Sequence, residues 1–257
     1  MIDINEMARR YSNSNPYEFV RIREPDHKEQ VRYRLRITEQ PDPVLALMVG
    51  DFVHNLRSAL DHVIFACVPR AKRSNATGFP IAYKDIFAED ANGEFVVKDD
   101  DARASFERQI NGVDARTRAL IIDAQPYHFG AEAHRQTLGI ISRLDNADKH
   151  RALTAIGTGV KDLAADVTAG DNTIRLARSL EPHAFVEDRT IVGWTLAGHI
   201  APSKVNMKYS ATTVVHIKVS GVRGNERPGD FPLRITMLMV IRDVRRWLRV
   251  FERFVLS

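Results

Sequence analysis

The sequence predicts an α+β protein, an amphipathic helical bundle carrying an antiparallel β-sheet insertion. Three observations lead there. Segments on both sides of residues 154–222 repeat apolar residues at helical spacing. Residues about 154–222 are instead rich in β-branched side chains bounded by Gly, Asn and Pro. The last helix has a strong apolar face that needs partners, which favours one bundle interrupted by β structure over two separate domains. The expectation is a single domain over 1–257, with a helical core at about 43–153 and 231–257 and a β-rich insertion at about 154–222.

In chain order, residues 1–15 are polar and read as a short helix or a loose end. Two β segments follow at 17–23 and 30–38. The second alternates Val31, Tyr33, Leu35 and Ile37 against Arg32, Arg34 and Arg36, the period-two pattern of a half-exposed strand. A helix over 43–67 opens on Asp42, a good N-cap, and Pro43, whose missing N–H costs nothing at the first position. Val68-Pro69 ends it. Residues 69–100 look irregular, with Gly78, Pro80 and the run Lys98-Asp99-Asp100-Asp101. Helices return at 101–110, at 114–125 between Asp114 and Pro126, and at 132–153. Strands are expected around 190–196 and 212–219. Pro228-Gly229-Asp230-Phe231-Pro232 then introduces a final helix.

Composition narrows the setting. The chain has 257 residues, 44% of them apolar, enough to fill a core. Its one cysteine, Cys67, excludes an intrachain disulfide, points to a reducing compartment and falls on an apolar helix face, so it reads as core rather than nucleophile. The opening MIDINEMARR has no apolar run of signal-peptide type. No apolar stretch approaches the roughly 20 residues of a membrane span. A cytoplasmic protein without a membrane partner is expected. The net charge of +4 is mild, and its distribution matters more than its total.

The 43–67 helix has an unusual polar side. Leu45, Val49, Val53, Leu56, Leu60, Val63, Ile64 and Cys67 share one face. Opposite lie Asp51, Asn55, Ser58 and His62, with His54 and Asp61 beside them and Arg57 at the edge. A solvated face usually carries good helix formers such as Lys, Glu and Gln, whereas Asp, Asn, Ser and His compete for backbone hydrogen bonds. Flanking Leu47 and Phe65 suggest that this stripe is partly buried, so its polar groups need partners. It reads either as the wall of a site or as an inter-helix polar network.

The 132–153 segment supplies the expected counterpart. Leu138, Ile141, Leu144 and Ala152 form its apolar face, on which His134, Asp145 and Asp148 also fall, while Arg143, Asn146 and His150 lie away from it. Carboxylates among core positions need cationic or donor partners, and Arg57, His54 and His62 are the candidates. Asp51-x-x-His54 also has the i, i+3 spacing with which bundles present two metal ligands, to be completed by His62, Asp145, Asp148 or His150.

On the final helix Leu233, Met237, Val240, Val244, Trp247, Leu248, Phe251 and Val255 share a face. Arg242, Arg245, Arg246, Arg249 and Arg253 occupy the other, with few acids among them. Such a row can track a phosphate backbone, form a solvated surface, or pair with the acidic 98–101 segment or a second subunit.

The phrases Gly50-Asp51-Phe52-Val53-His54-Asn55-Leu56-Arg57-Ser58-Ala59-Leu60-Asp61-His62 and Leu144-Asp145-Asn146-Ala147-Asp148-Lys149-His150-Arg151 resemble hallmark stretches of an uncharacterised bacterial protein family. More distantly, Arg57-x4-His62 and Arg143-x6-His150 resemble the Arg-x(4–6)-His signature of HEPN proteins, helical bundles that often act as metal-independent ribonucleases. Ser58 departs from that pattern, which favours Asn, Asp or His after the arginine, and the long β segment is foreign to a minimal HEPN bundle. The resemblance implies an RNA-directed protein, a metal-independent endoribonuclease of toxin or defence type needing no cofactor, and a homodimer is expected. Arg57 would stabilise the phosphorane, and His62 would act on the 2′-hydroxyl or the leaving oxygen. Asn55, Asp51 and Asp145 would orient them, and the C-terminal arginines would hold the backbone. The alternatives are a non-enzymatic binding or scaffold protein and a metal-dependent hydrolase.

Overall fold

A computed structural model describes residues 3–22, 30–149, 155–169, 172–179, 192–195, 205–219 and 229–255. The fold is α+β, with helices and antiparallel sheets as the sequence predicts. The chain divides into two compact units, one of residues 1–47, 155–218 and 230–235, the other of 48–154, 219–229 and 236–257.

The first unit holds the β structure. Helix α1 (Ile4–Asn13) starts where the Asp3 carboxylate accepts the Asn5 N–H. Strands β1 (Tyr17–Ile22) and β2 (Gln30–Ile37) pair antiparallel, close to the expected bounds, and β2 also pairs with β5 (Val192–Thr195). The second sheet has the order β4-β3-β6-β7, from β3 (Ala155–Ala169), β4 (Asn172–Ser179), β6 (Val205–Val219) and β7 (Gly229–Pro232). The β region thus draws in strands from outside 154–222. The Gly229–Pro232 segment, read as a helix lead-in, is itself a strand. The register of β3 against β6 shifts between Val160 and Asp162, the mark of a bulge. Tyr11 ties α1 down: its hydroxyl donates to the Glu39 carbonyl at 2.7 Å and is hydrogen-bonded to the buried Thr158 hydroxyl. Burial pushes the Tyr11 hydroxyl up from its ordinary titration range.

The second unit is helical. It contains most of α2 (Pro43–Cys67) and α6 (Leu233–Val255), together with α3 (Asp100–Gln109), α4 (Ala115–Asp123) and α5 (Thr137–Lys149). The helix starts at Asp42 and Asp114 are capped as the sequence predicts, and Asp99 adds a further cap. The Asp42 carboxylate accepts the Val44 N–H at 2.8 Å, Asp99 accepts Ala102, and Asp114 accepts Arg116 and Thr117. Val49, Val53, Leu60 and Ile64 of α2, Leu138, Ile141 and Leu144 of α5, and Met237, Val240, Val244 and Phe251 of α6 are buried. Phe79 joins them, edge to face with Phe251 at 6.2 Å. Cys67 is partly buried, and burial followed by the nearby Asp114 charge raises its thiol pKa, which disfavours the nucleophilic thiolate.

The Asp114 carboxyl titrates below its usual range because the Thr117 hydroxyl and N–H groups of Thr117 and Arg116 bond its charged form. A depressed pKa means that the stabilisation is present above the unfolded value, about 3.9, and is lost as pH falls through the folded value. The stability gap between wild type and Asp114→Ala, measured by denaturant titration, is therefore expected to shrink as pH falls from about 5 toward the folded value.

The single helix expected over 132–153 is corrected. Residues Pro126–Arg135 form 3₁₀ turns, kinked at Gly130 with φ 53°, and α5 begins only at Thr137. Gln136 is extended, with ψ 157°, which breaks helical continuity, so His134 belongs to the 3₁₀ segment and not to the α5 face. The two segments meet at Gly139, where a Cβ would lie 2.4 Å from the Ala133 carbonyl oxygen and 3.0 Å from the His134 Cα. Because both atoms are backbone, Gly139→Ala is expected to destabilise the protein by about 1–3 kcal/mol in chemical unfolding. An unchanged midpoint would show that the contact relaxes.

Candidate functional site

Around α2 three stripes can be distinguished at 100° per residue. Val49, Val53, Leu60 and Ile64 face the core. Asp51, Asn55, Ser58 and His62 lie diametrically opposite. His54, Arg57 and Asp61, spaced i, i+3, i+7, occupy the boundary between these two faces, where a side chain can still reach a neighbouring element.

The partly sheltered stripe expected at Asp51, Asn55 and His62 is not found. All three are exposed, and Ser58 is half-buried. The flanking apolar residues that suggested shelter are themselves open, Leu47 at 54% and Phe65 at 43% exposure. Phe65 is covered on one side by the Arg73 guanidinium, 4.4 Å from the ring centroid, rather than by a helix.

The boundary stripe makes the contacts instead. One Arg57 terminal nitrogen donates to the Phe79 carbonyl at 2.7 Å and lies 2.9 Å from Asp61 Oδ1. The same Asp61 oxygen accepts the Phe79 N–H at 2.8 Å. Two side chains one helical turn apart thus bind both backbone polar groups of one residue. A Cβ at Gly78 would fall 2.9 Å from Asp61 Oδ1, so the glycine admits this approach. The buried Gln125 holds the next stretch: its amide donates to the Pro80 and Ile121 carbonyls at 3.0 and 2.8 Å and accepts the Ala82 N–H at 2.8 Å. These geometries make Arg57 and Gln125 anchors of the 78–82 segment. Gln125 escaped the sequence reading because a glutamine after a helix end resembles any surface residue.

At the other end of the boundary stripe, His54 Nδ1 lies 3.4 Å from Asp145 Oδ1. The histidine is 58% exposed and the aspartate 3%. Asp145 is therefore the core-facing carboxylate expected on α5, and His54 is one of the three partners foreseen for it. Arg143 is a correction: it is buried rather than turned away, because α5 is enclosed on a second side as well, that of Ile140 three residues earlier. Asn146 is exposed as expected. The Asp148 side chain, His150 and Arg151 lie outside the described residues. Among the described residues no group of three or more His, Cys, Asp or Glu is arranged to hold a metal ion.

Arg57 and His62 are not joined in one cluster. Five residues apart, they point some 140° from each other around an ideal helix, one toward Phe79 and the other outward.

On α6 the apolar face packs inward and the arginines stay out. Arg242, Arg245, Arg246, Arg249 and Arg253 are all exposed. Arg242, Arg246, Arg249 and Arg253 follow i, i+4, i+7, i+11, a nearly straight row about 16 Å long at 1.5 Å rise per residue, with Arg245 alongside. With Leu238, Ile241 and Val250 they line an open concavity of about 560 Å³. The helix is fastened beneath this surface: Asp243 accepts the Thr137 hydroxyl at 2.6 Å and, with its other oxygen, the Arg242 Nε–H at 3.0 Å. No described helix is long and apolar enough to cross a membrane.

Comparison with protein-family models, curated proteins and solved structures finds no match to this chain.

Proposed function

We propose that the chain is a HEPN-like RNA-binding protein and a metal-independent endoribonuclease of toxin or defence type, working in the cytoplasm as a homodimer. The observation that carries this reading is the α6 surface, five exposed arginines on a fastened helix whose two acidic residues are Asp243, shared between Thr137 and Arg242, and Glu252. Guanidinium groups suit phosphate oxygens in charge and in fork geometry. The Leu238, Ile241 and Val250 side chains between them offer apolar contact to sugars and bases. Cleavage is assigned to the α2–α5 pair, on whose motifs the HEPN resemblance rests.

Fluorescence anisotropy of a labelled single-stranded RNA tests the binding. Wild type is expected to bind, and Arg245→Gln with Arg249→Gln to weaken binding about tenfold, because two phosphate contacts and their counterion release are lost. Equal binding by both proteins would contradict the assignment of α6.

A non-enzymatic binding protein is the second reading, favoured by the use of Arg57 as a backbone anchor. RNA binding without any strand scission would select it.

A further inference from the structure

We infer that His54, held by Asp145, is the proton-transfer residue of the cleavage site, in place of the His62 that the motif spacing nominates. The inference rests on the RNA reading above and adds to it a particular residue and role.

A general base needs one ring nitrogen free for substrate and the other fixed so that the tautomer is defined. His54 meets both needs. Its Nδ1 faces a buried carboxylate oxygen at 3.4 Å, and more than half of its side chain is open to solvent. The carboxylate favours the tautomer with the proton on Nδ1, which leaves Nε2 as acceptor. Asp145 is the positioning residue. It is placed on a rigid, core-packed helix between buried Leu144 and exposed Asn146, so its direction is set by packing. The 3.4 Å separation is long for a hydrogen bond, as such contacts often are before substrate binds. His62, by contrast, is exposed on the outward stripe.

The chemistry balances without a co-reactant. Nε2 of His54 removes the proton from a ribose 2′-hydroxyl, and the 2′-oxygen attacks the adjacent phosphorus. The bond from phosphorus to the 5′-oxygen of the next nucleotide breaks, and that oxygen takes up a proton from solvent, to which the imidazolium later returns its own. The products are a 2′,3′-cyclic phosphate end and a 5′-hydroxyl end.

The test uses the full chain, a labelled RNA and excess chelator, with folding checked by circular dichroism. His54→Gln is expected to bind RNA like wild type and to cleave at least about a hundredfold more slowly. His62→Gln is expected to cleave faster than His54→Gln. Asp145→Asn is expected to lower kcat while KM is kept, because it permits the wrong tautomer of a side chain that does not itself hold the RNA. If Asp145→Asn fails to fold, the exposed His54 variant still decides. Cleavage by His54→Gln at the wild-type rate, or binding by wild type without cleavage, overturns this inference and leaves RNA binding standing. Failure of wild type to bind RNA overturns the reading on which it rests.

Discussion

Arg246→Glu with Arg249→Glu is expected to weaken RNA binding by a hundredfold or more at moderate salt, with the fold intact. Both residues are exposed in the straight α6 row, three apart, so each substitution removes one cation and places an anion against the same stretch of backbone. Two lost contacts and two repulsions act together, and a hundredfold corresponds to about 2.7 kcal/mol. Because neither side chain packs in the core, the midpoint of thermal unfolding should move little. An anisotropy titration beside a melting curve separates the effects. Weaker binding accompanied by a large drop in Tm would mean that α6 had been disturbed rather than a phosphate site removed.

The second large effect concerns Arg57 and runs in the other direction. Arg57→Ala is expected to destabilise the protein by about 2–3 kcal/mol, since it strips the Phe79 carbonyl of a charged donor and leaves Asp61 without its cation. The Arg57 side chain is only 17% exposed, so water replaces it poorly. At about 2–4 °C per kcal/mol for a chain of this size, Tm should fall by roughly 5–10 °C. Asp61→Ala should have a similar cost, and the double variant less than the sum, because both act on one residue's backbone. A catalytic Arg57 would behave differently, with cleavage lost at an unchanged Tm.

These two regions also show what the sequence discloses. Caps at Asp42 and Asp114, the breaks at Pro69 and Pro126 and the apolar faces of α2 and α6 all express local chemistry, so each could be read from neighbouring residues. The α6 arginine face was equally legible, because an exposed face follows directly from a buried one on the same helix. The site on α2 was only half legible. Asp145 announces itself as a carboxylate among core positions, and His54 is within the short list of partners. Choosing between the Asp51–His62 stripe and the His54–Asp61 stripe requires knowing which flank another element covers. Leu47 and Phe65 suggested the wrong flank, since exposed apolar residues look the same in a sequence as buried ones. The break before α5 depends on an extended Gln136 and on a backbone contact at Gly139, neither of which has a periodic signature.

If the α6 arginines hold a phosphate backbone, RNA binding must weaken steeply with salt. For single-stranded RNA each neutralised phosphate contributes about 0.7 to the slope of log K against log salt concentration, so five contacts give a slope near −3.5. Wild type is expected to show that slope, and Arg246→Glu with Arg249→Glu a slope flatter by about 1.4 or more. A wild-type slope near zero, or one that the substitutions leave unchanged, would mean that these arginines do not hold the phosphates.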